Sequence, residues 1–497
     1  MSVRESQEWT LVSEWAGTVG DLSSAAALSA WDRETLMPPA GSAARARQQG
    51  TLAALHHRET VRADAGEALA RLSGRPDLAE DPHVAAFVRV ATRMRDRAVR
   101  LPESLVRETS EACAESVHAW TEARERDDFA HWAGPLARVL AHRRQEADAL
   151  EVGDEPYDAL LDAFEPDTRV AGIEPVLADL RERLGPLVEE AGRRPEARLP
   201  AREWDTDAQV RLAHELADMV GFDLRAGVIA RSVHPFTSTT HRGDVRFTTR
   251  VDPASPISSI GAVMHEVGHA LYEQGFAEDL DRTPLHDAPS LAAHESQSRF
   301  WENHVGRTRA FWNRIEPTMR RLFPEAMEGV DADLMHRAAN VVRPSPIRVE
   351  ADEVTYHLHI VLRTELEVAM VRGDLAVTDL PGAFSDGMDR LLGVRPATGA
   401  EGAMQDIHWA EGLFGYFPTY TLGSLYSAQL AEAADQVLDG LEEAVEEGRF
   451  REILDVMRHR IHRHGATVPT PELMHRATGR TLSADALIAH LGRTHTG

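Results

Sequence analysis

The chain has 497 residues, of which 43% are apolar and 27% are charged; this balance is typical of a globular protein with room for two or more lobes and argues against intrinsic disorder. Its formal charge of -26 repels nucleic acid phosphates, so we expect no nucleic acid partner. The single cysteine, Cys113, excludes an intramolecular disulfide and a thiolate-rich metal site, so any metal must be held by histidine and carboxylate groups.

The N-terminal segment and the helical patterns come first in the chain. The opening residues, MSVRESQEWTLVSEW, lack a basic start followed by an apolar stretch, and no run of about 18 apolar residues occurs in the sequence. We therefore expect a cytoplasmic protein that is not attached to a membrane. Apolar residues three and four positions apart recur in long segments such as residues 81–101 and 428–448, which predicts a mainly α-helical protein.

Residues 192–207, GRRPEARLPAREWDTD, form the most linker-like stretch, because proline and charged residues dominate it. It would separate a mostly helical N-terminal region, residues 1–200, from residues 201–497, which carry the motifs described below. A loop inside one domain explains the same composition equally well.

Residues 243–252, GDVRFTTRVD, break the helical pattern. Apolar Val245 and Phe247 alternate with Asp244 and Arg246, which is the period of a strand with two different faces. The strand follows HPFTSTTHRG within a few residues, so a β-hairpin or a small antiparallel sheet is predicted at this point of the chain.

The segment MHEVGHALYEQG, residues 264–275, contains the spacing H-E-x-x-H. A helix is predicted for residues 265–274, with Ser258 or Ser259 as the N-terminal cap and Gly275 as the end. The buried face of this helix is predicted to contain five apolar residues: Ile260, Val263, Met264, Val267 and Leu271.

His265 and His269 lie one helical turn apart, on a different face from that apolar stripe. Both imidazoles can therefore reach one metal ion. Glu266 stands beside the first histidine, where a carboxylate can hold an attacking water without itself binding the metal. A third ligand is still needed, because a catalytic zinc has three protein ligands and one open position.

The third ligand is predicted to come from a second helix. The metzincin arrangement is absent, because Gly275 stands where that motif has its third histidine. Residues 289–306 predict a helix with Ser290 as cap and Gly306 as stop. Glu295 lies in its second turn and is the first candidate, since two antiparallel helices would bring it toward the histidines. Four other residues stay open as alternatives: Glu273, Glu278, His294 and Glu302.

The remaining clustered histidines are expected to be surface or capped residues. In RHRIHRHG, residues 458–465, arginines separate His459, His462 and His464. These arginines would repel a divalent cation, which favours a solvated helical end. Four further histidines lie in helical patterns and are not assigned to the metal: His56, His57, His357 and His359.

Beyond the H-E-x-x-H helix, further short stretches together resemble the thermostable carboxypeptidase Taq family of metallocarboxypeptidases. They are HPF at 234–236, DVRFT at 244–248, HESQ at 294–297, IRVEAD at 347–352 and GAMQDIHW at 402–409. Their order along the chain also matches the family. Two more stretches, WDRETLMPPAG at 31–41 and GLFGYFPTYTLGSLY at 412–426, extend the resemblance to nearly the whole chain.

The resemblance implies a single peptidase domain over residues 1–497 that is largely helical and two-lobed, with a deep groove and a small antiparallel sheet, similar to neurolysin and angiotensin-converting enzyme. It implies an enzyme that removes residues from the free C-terminus of peptides and forms a homodimer. It also implies one divalent metal per chain, zinc first and cobalt second. Residue by residue, His265, His269 and Glu295 match the metal ligands, and Glu266 matches the catalytic base.

The chemistry of peptide hydrolysis assigns roles to further residues. Glu266 is expected to take the proton of a metal-activated water and to pass it to the leaving amine. Tyr420, Tyr416 and His408 are candidates for stabilising the negative oxygen that forms. Core packing is the alternative for either tyrosine.

Substrate binding requires a partner for the free α-carboxylate, and a forked contact with arginine suits it. Arg348 in IRVEAD is the first choice. Arg246 is the second, because it shares a strand face with Asp244 and could form an ion pair instead. The DVRFT strand could align an extended peptide by backbone hydrogen bonds, and His234 and Tyr416 are assigned to substrate binding as well.

Two other functions stay open on the sequence. One is an oligopeptidase that cleaves within short peptides from the same metal site. The other is an inactive peptide-binding relative, against which the intact H-E-x-x-H motif and Glu295 argue.

Overall fold

The computed structural model describes residues 2–496, which form two compact units. The first unit contains the described residues up to Val99, together with Arg198–Ala339 and Gln429–Thr481. The second contains Arg100–Ala197, Asn340–Ala428 and the described residues from Leu482 onward. Each unit is thus assembled from three separate parts of the chain, and the linker-like segment 192–207 includes one of the changes between them.

The first unit is mainly helical, as the apolar periodicity predicts. Its helices are α1 (Gln7–Thr35), α2 (Ser42–Thr60), α3 (Ala63–Ser73), α4 (Pro82–Arg100), α9 (Thr206–Val220), α10 (Ile257–Gln274), α11 (Leu291–Arg299), α12 (Arg309–Leu322), α13 (Ala332–Ala339), α17 (Leu441–Glu446), α18 (Phe450–Arg460) and α19 (Thr470–Thr478). The helix predicted over residues 81–101 is confirmed by α4. Ser6 caps α1 by accepting a hydrogen bond from the N–H of Trp9, which satisfies one of the free donors at the helix start.

The first unit also holds a three-stranded sheet, β1 (Gly227–Arg231), β2 (Thr237–His241) and β3 (Asp244–Thr249), in the order β1-β3-β2. The predicted hairpin is confirmed, since β2 and β3 pair antiparallel. The prediction of an antiparallel sheet is wrong for β1, which pairs parallel to β3. Both edges of β3 are therefore occupied, so the DVRFT strand cannot align a peptide; β2 is an edge strand.

The two helices that carry the candidate metal ligands differ in how well their predicted N-terminal caps agree with the structure. The cap predicted at Ser258 or Ser259 is wrong, because α10 begins at Ile257, directly after Pro256, and proline has the φ angle and missing N–H that suit a helix start. All five residues of the predicted apolar face are buried. Ser290 caps α11 as predicted, and the helix continues through a π-helical segment, Phe300–Val305, to Gly306.

The second unit contains helices and connecting loops, with no strand among its described residues. Its helices are α5 (Glu103–Arg126), α6 (Phe129–Leu150), α7 (Pro156–Leu161), α8 (Val170–Ala191), α14 (Tyr356–Arg372), α15 (Leu380–Leu392) and α20 (Asp485–His495), and α16 (Phe417–Leu438) has residues in both units. Glu353 fixes α20, because its carboxylate oxygens lie 2.9 Å from Nε2 of His490 and 3.0 Å from Nε2 of His495.

Residues 428–448 are not the single helix that their periodicity predicts. The helix α16 ends at Leu438, and α17 begins at Leu441. Between them Asp439 and Gly440 adopt φ angles of 53° and 120°. An Asp-Gly pair favours such a turn, so these two residues indicate the break in the helix.

The surface placement predicted for three histidines is wrong. His462 is fully buried, and its Nε2 lies 2.9 Å from Oε1 of Gln297. His357 and His359 are buried within α14, where Nδ1 of His357 lies 3.2 Å from the hydroxyl of Thr421. His357 and His359 face the interior from α14, and His462 lies in the segment between α18 and α19.

Candidate metal centre

His265 and His269 project from α10 toward Glu295 of α11. Oε2 of Glu295 lies 3.6 Å from Nε2 of His265 and 3.3 Å from Nε2 of His269. One ligand atom from each of the three residues lies within 4.8 Å of the other two. The structure therefore brings together the three residues that the sequence singled out, and among the described residues they form the one such cluster that the structure contains.

Gly268 explains how Glu295 comes so close to the two imidazoles. A Cβ at this position would lie 2.6 Å from the carbonyl oxygen of Gln297 and 2.7 Å from the Cα of Ser298. Glycine removes that obstacle, so the backbones of α10 and α11 pack directly against each other.

The three residues fit a divalent cation. Zinc bonds imidazole nitrogen and carboxylate oxygen at about 2.0 to 2.2 Å in tetrahedral geometry, which sets neighbouring ligand atoms about 3.4 Å apart. The two distances from Oε2 of Glu295 lie at this value. A mixed set of imidazole and carboxylate ligands, without thiolate, also matches a catalytic rather than a structural zinc site.

Charged residues around the ligands hold them in place. Oε2 of Glu302 lies 2.9 Å from Nδ1 of His265, the arrangement that orients a metal-ligating imidazole. Nε of Arg299 donates to Oε1 of Glu295 at 2.8 Å, and its Nη1 donates to Oε2 of Glu302 at 3.3 Å. Arg299 thereby leaves Oε2 of Glu295 facing the histidines.

His269, the second candidate ligand, is held by ring stacking rather than by a carboxylate as His265 is. The ring of His269 stacks on that of His294, with centroids 4.4 Å apart and an angle of 25°. His294 is fixed in turn by Glu273, whose Oε1 lies 2.7 Å from its Nε2. Nδ1 of His269 is buried and has no hydrogen-bond partner among the described residues, so aromatic packing orients this imidazole.

Protonation of the ligands follows from burial and charge. Burial lowers the pKa of His269 to about 3, reinforced by the charge of His294. Burial also lowers the pKa of His265, but Glu295 and Glu302 outweigh it and raise this pKa to about 9. Burial raises the pKa of Glu295, yet Arg299 and the imidazoles hold it well below the usual range. Glu295 is thus ionised and His269 neutral at pH 7, the forms that bind a metal, whereas His265 carries a proton that a bound cation would displace.

Glu266 lies beside this cluster and is held from the sheet. Its Oε2 accepts a hydrogen bond of 2.7 Å from the hydroxyl of Thr237 on β2. Only 6% of Glu266 is exposed, and this burial raises the pKa of its carboxyl. A buried carboxylate of raised pKa is a stronger base than one in water.

The two substrate-binding candidates of the first unit lie elsewhere. Arg246 makes a forked contact with Asp244, at 2.7 and 2.9 Å, and its guanidinium lies 4.9 Å from the ring centre of Trp31 on α1. The ion pair that the sequence raised as its alternative role is therefore present. His234 is exposed in the loop between β1 and β2, where its carbonyl accepts a hydrogen bond from the hydroxyl of Ser232.

In the second unit Arg348 is engaged by a carboxylate of the chain. Its Nε and Nη2 donate to Oδ1 of Asp406 at 2.9 and 2.7 Å, while Nε of Arg363 donates to Oδ2 at 2.7 Å. Nη1 of Arg348 lies 3.5 Å from the hydroxyl of Tyr356. The guanidinium also lies over the ring of Tyr420, 5.3 Å from its centre.

The three oxyanion candidates lie together beside Arg348. Nε2 of His408 lies 3.1 Å from the hydroxyl of Tyr420, and the rings of Tyr416 and Tyr420 meet edge to face at 5.3 Å. His408 stacks on Phe417 at 4.5 Å. Burial lowers the pKa of His408 to about 4, helped by the charge of Arg348, so the imidazole is neutral at pH 7.

Comparison with known proteins decides the family. A model of the carboxypeptidase Taq (M32) metallopeptidase family matches residues 12–494. The chain belongs to the M32 family of metallocarboxypeptidases. It is 43% identical to thermostable carboxypeptidase 1 of Thermus thermophilus over 488 residues, and 35% identical to carboxypeptidase 1 of Bacillus subtilis over 482 residues. These alignments cover 95% and 96% of this chain, and the same shares of the two relatives.

The fold agrees with that assignment. The crystal structure of an M32 carboxypeptidase from Deinococcus radiodurans R1 superposes with a TM-score of 0.96 at 35% identity, covering 99% of this chain and 100% of the other. This M32 metallocarboxypeptidase is therefore a hydrolase. Among its described residues, none of the helices has both the length and the apolar character needed to span a bilayer.

In each unit of this M32 metallocarboxypeptidase, one residue that the sequence patterns did not single out holds a candidate side chain in place. Thr237, in HPFTST, binds Glu266, and Asp406, in GAMQDIHW, joins Arg348 to Arg363. Both lie inside stretches that carry the family resemblance, so their position was available as a signal. Their partners are distant in sequence, and only the fold reveals them.

Proposed function

We propose that this M32 metallocarboxypeptidase hydrolyses the C-terminal peptide bond of peptides at a single divalent cation held by His265, His269 and Glu295, with Glu266 as the general base. The observation that carries the proposal is the convergence of three ligand atoms within 4.8 Å, beside a buried carboxylate that does not belong to the ligand set. A catalytic metal site needs this combination of three ligands and a separate base.

The donor set favours zinc as the bound cation, with cobalt as the alternative. Two imidazoles and one carboxylate suit both ions, and zinc is the commoner partner of this set in peptide hydrolysis. When bound, the cation would lower the pKa of water to about 7 and polarise the scissile carbonyl. Glu302 and Arg299 keep His265 and Glu295 oriented for it.

Glu266 supplies the proton transfers. The hydroxyl of Thr237 holds Oε2, which fixes the carboxylate so that it can take a proton from the attacking water. The same carboxyl group then gives the proton to the amine that leaves, since general acid and base roles alternate in one catalytic cycle. Burial supports both steps, because it brings the pKa of this group closer to neutrality.

Stabilisation of the negative oxygen is assigned to Tyr420 and His408. A phenol hydroxyl is a strong hydrogen-bond donor, and a donor set in place before the reaction stabilises charge that develops on the substrate. The contact between His408 and Tyr420 supports this role, because an imidazole that donates its Nε2–H to the phenol oxygen leaves the phenol proton directed at the substrate.

Arg348 is the proposed anchor for the terminal carboxylate of the substrate. Asp406 holds two of its nitrogens and so fixes the guanidinium plane before substrate arrives. Nη1 makes only a weak contact of 3.5 Å with the hydroxyl of Tyr356. A charge-assisted hydrogen bond from Nη1 to the substrate carboxylate would be stronger than this contact. Tyr416, packed against Tyr420, is proposed to contact the C-terminal residue.

The edge strand β2 is proposed to align the peptide backbone. Thr248 donates its N–H to the carbonyl of Phe236, and Ser238 is opposite Arg246, so the alternation of an antiparallel pair directs the backbone groups of Thr237 and Thr239 away from β3. An extended peptide can add to such an edge. His234, in the loop before β2, and Arg246 are secondary candidates for substrate contact.

Peptides with a free C-terminus are the proposed substrates, and a homodimer in the cytoplasm is the proposed working form. These assignments rest on the family resemblance, as does the proposed likeness to neurolysin and angiotensin-converting enzyme, with a deep groove for the peptide.

The decisive experiment is mass spectrometry of a mixed peptide pool incubated with the zinc-loaded enzyme. Successive loss of single C-terminal residues is expected, and C-terminally amidated peptides should be cut far more slowly. Internal cleavage of peptides blocked at both ends would identify an oligopeptidase instead. Absence of turnover at full zinc content would identify an inactive peptide-binding relative.

A further inference from the structure

A cleft of about 730 Å³ opens in the first unit between α1, α2 and the sheet. Its walls include Leu28, Trp31, Leu36, Leu52 and Arg246. Leu28 is 40% exposed and Leu36 is 72% exposed. Exposed leucines grouped around a concave surface are unusual on a soluble protein and mark a place where another molecule binds.

The charges of the cleft are already satisfied. Arg45 lies 2.5 Å from Asp32 and donates to the carbonyl of Ser29 at 2.7 Å. Arg246 is paired with Asp244, as described above. Since both cations have carboxylate partners, the cleft offers no net charge for an acidic or basic ligand, and its leucines and the face of Trp31 favour an apolar one.

The pairing of β2 with β3 shows how the cleft is placed relative to Glu266. Thr237 is opposite Phe247, and Ser238 is opposite Arg246, so these two pairs point to opposite faces of the sheet. The Thr237 side chain reaches Glu266 on α10, whereas Arg246 reaches Trp31 on α1. Thr237, which holds Glu266, and Arg246, the sheet residue that lines the cleft, thus direct their side chains to the two faces of the same strand pair.

We propose that this cleft receives a large apolar side chain of the peptide substrate, from a residue N-terminal to the bond that is cut. Side chains of an extended peptide alternate between the two faces of the strand to which it adds. A residue next to one that faces the metal centre therefore directs its side chain to the face of Arg246. Only one residue lies beyond the scissile bond of a carboxypeptidase substrate, so the rest of the peptide must supply this side chain. The inference rests on the proposed function.

The test fills the cleft without disturbing the core. Ala25 lines the cleft and is exposed on α1, so Ala25→Trp adds bulk there at little risk to folding. Ser23→Trp places the same ring on an exposed position of α1 outside the lining and is the matched control. Substrates are alanine-rich hexapeptides that carry Phe, Leu, Ala or Asp at one position at a time, and kcat/KM is measured for each position.

Wild type and Ser23→Trp are expected to prefer Phe or Leu over Ala and Asp at one upstream position by about tenfold or more, the discrimination typical of an apolar pocket. Ala25→Trp should reduce that preference to less than about threefold, measured as the ratio of kcat/KM to that of the all-alanine peptide in the same variant. Absence of any upstream preference in wild type, or its survival in Ala25→Trp, would overturn the inference. The inference would also be overturned if light scattering showed that Ala25→Trp turns a dimer into a monomer while its substrate specificity stays intact. That result would make the cleft a contact between two copies of the chain. If the wild-type enzyme removes no C-terminal residue from any of these peptides, the proposed function itself is refuted.

Discussion

Gly268 of α10 lies so close to Ser298 of α11 that a Cβ on the glycine would stand 2.7 Å from the Cα of the serine. The distance between these two backbones sets how far Glu295 can reach toward His265 and His269. We expect Gly268→Ala to push the helices apart, to lower the free energy of unfolding by about 1 to 3 kcal/mol, as overpacking does, and to weaken metal binding.

Metal affinity measured by competition with a chelator, together with the thermal midpoint, would check this. The control is Gly261→Ala in the same helix, where a Cβ would meet no atom within 4 Å. That change should leave metal affinity intact and stabilise the helix by roughly 0.5 to 1 kcal/mol. Equal metal affinity in both variants would show that the close packing does not set the ligand geometry.

Glu266→Gln should keep the metal but lose nearly all turnover. The amide can still accept the hydrogen bond from Thr237, yet it cannot take a proton from water, and removing a general base typically lowers the rate by about 10²- to 10⁴-fold. Metal content and kcat are measured on the same preparation. Activity above a tenth of wild type at full metal content would refute the role of Glu266.

Unlike Glu266→Gln, Glu295→Ala should weaken metal binding itself, because it removes one of the three proposed ligands. Activity is expected to fall together with metal content, and excess zinc should restore part of it. Glu278→Gln is the control, since Glu278 is an exposed residue paired with Arg242, and this variant should retain its metal through dialysis. If Glu295→Ala also keeps its metal through dialysis against a chelator, another residue is the third ligand.

Arg348→Ala should depress kcat/KM strongly for free-acid peptides and hardly at all for the slow cleavage of amidated ones. Loss of a buried charge-assisted contact weakens binding by on the order of 2 to 4 kcal/mol. The ratio of the two substrates is the readout, because it does not depend on the folded fraction. Arg363→Lys is the control, since Arg363 binds the same Asp406, and it should lower both rates alike. An unchanged ratio in Arg348→Ala would move the search to Arg246.

Glu353 should contribute stability that depends on pH. Burial raises its pKa, but His490 and His495 outweigh this and hold it well below the ordinary value of 4.5. A carboxyl whose pKa is depressed in the folded state stabilises the protein above its unfolded pKa, and this stabilisation is lost as pH falls through the folded value. The thermal midpoint of Glu353→Gln should therefore lie below that of wild type at pH 7, with a gap that begins to narrow near the unfolded pKa of about 4 and closes only below the folded pKa. A gap independent of pH would mean that packing alone is lost.

The candidate metal centre was largely predictable, because one helix carries both histidines and their spacing of four residues is a local property. The buried stripe of α10 and the cap at Ser290 depend on neighbouring residues in the same way. Glu295 was one of several candidates until the family resemblance was considered. Its selection in the structure depends on Gly268, whose role in helix packing no local pattern shows.

Features that depend on contacts between distant segments were not predictable. The parallel partner of β3 lies on the far side of the hairpin, so β1 turned an expected antiparallel sheet into a mixed one. His462 follows an arginine-rich pattern typical of a surface, yet it is buried against Gln297. Arg348 is the residue assigned to the substrate carboxylate, and the buried charge cluster that it forms with Asp406 and Arg363 is a contact that periodicity cannot reveal.

The burial of His462 against Gln297 also has a consequence for biosynthesis. Gln297 lies two residues after Glu295, while His462 belongs to the last segment of the first unit, which ends at Thr481. On the ribosome, the residues of the metal centre emerge long before the segment that packs behind them. At about 5 to 20 residues per second, that delay is on the order of 10 to 40 s. During this time the nascent chain exposes the H-E-x-x-H helix without the contact between His462 and Gln297, so chaperones and free divalent cations can reach it before the first unit is complete.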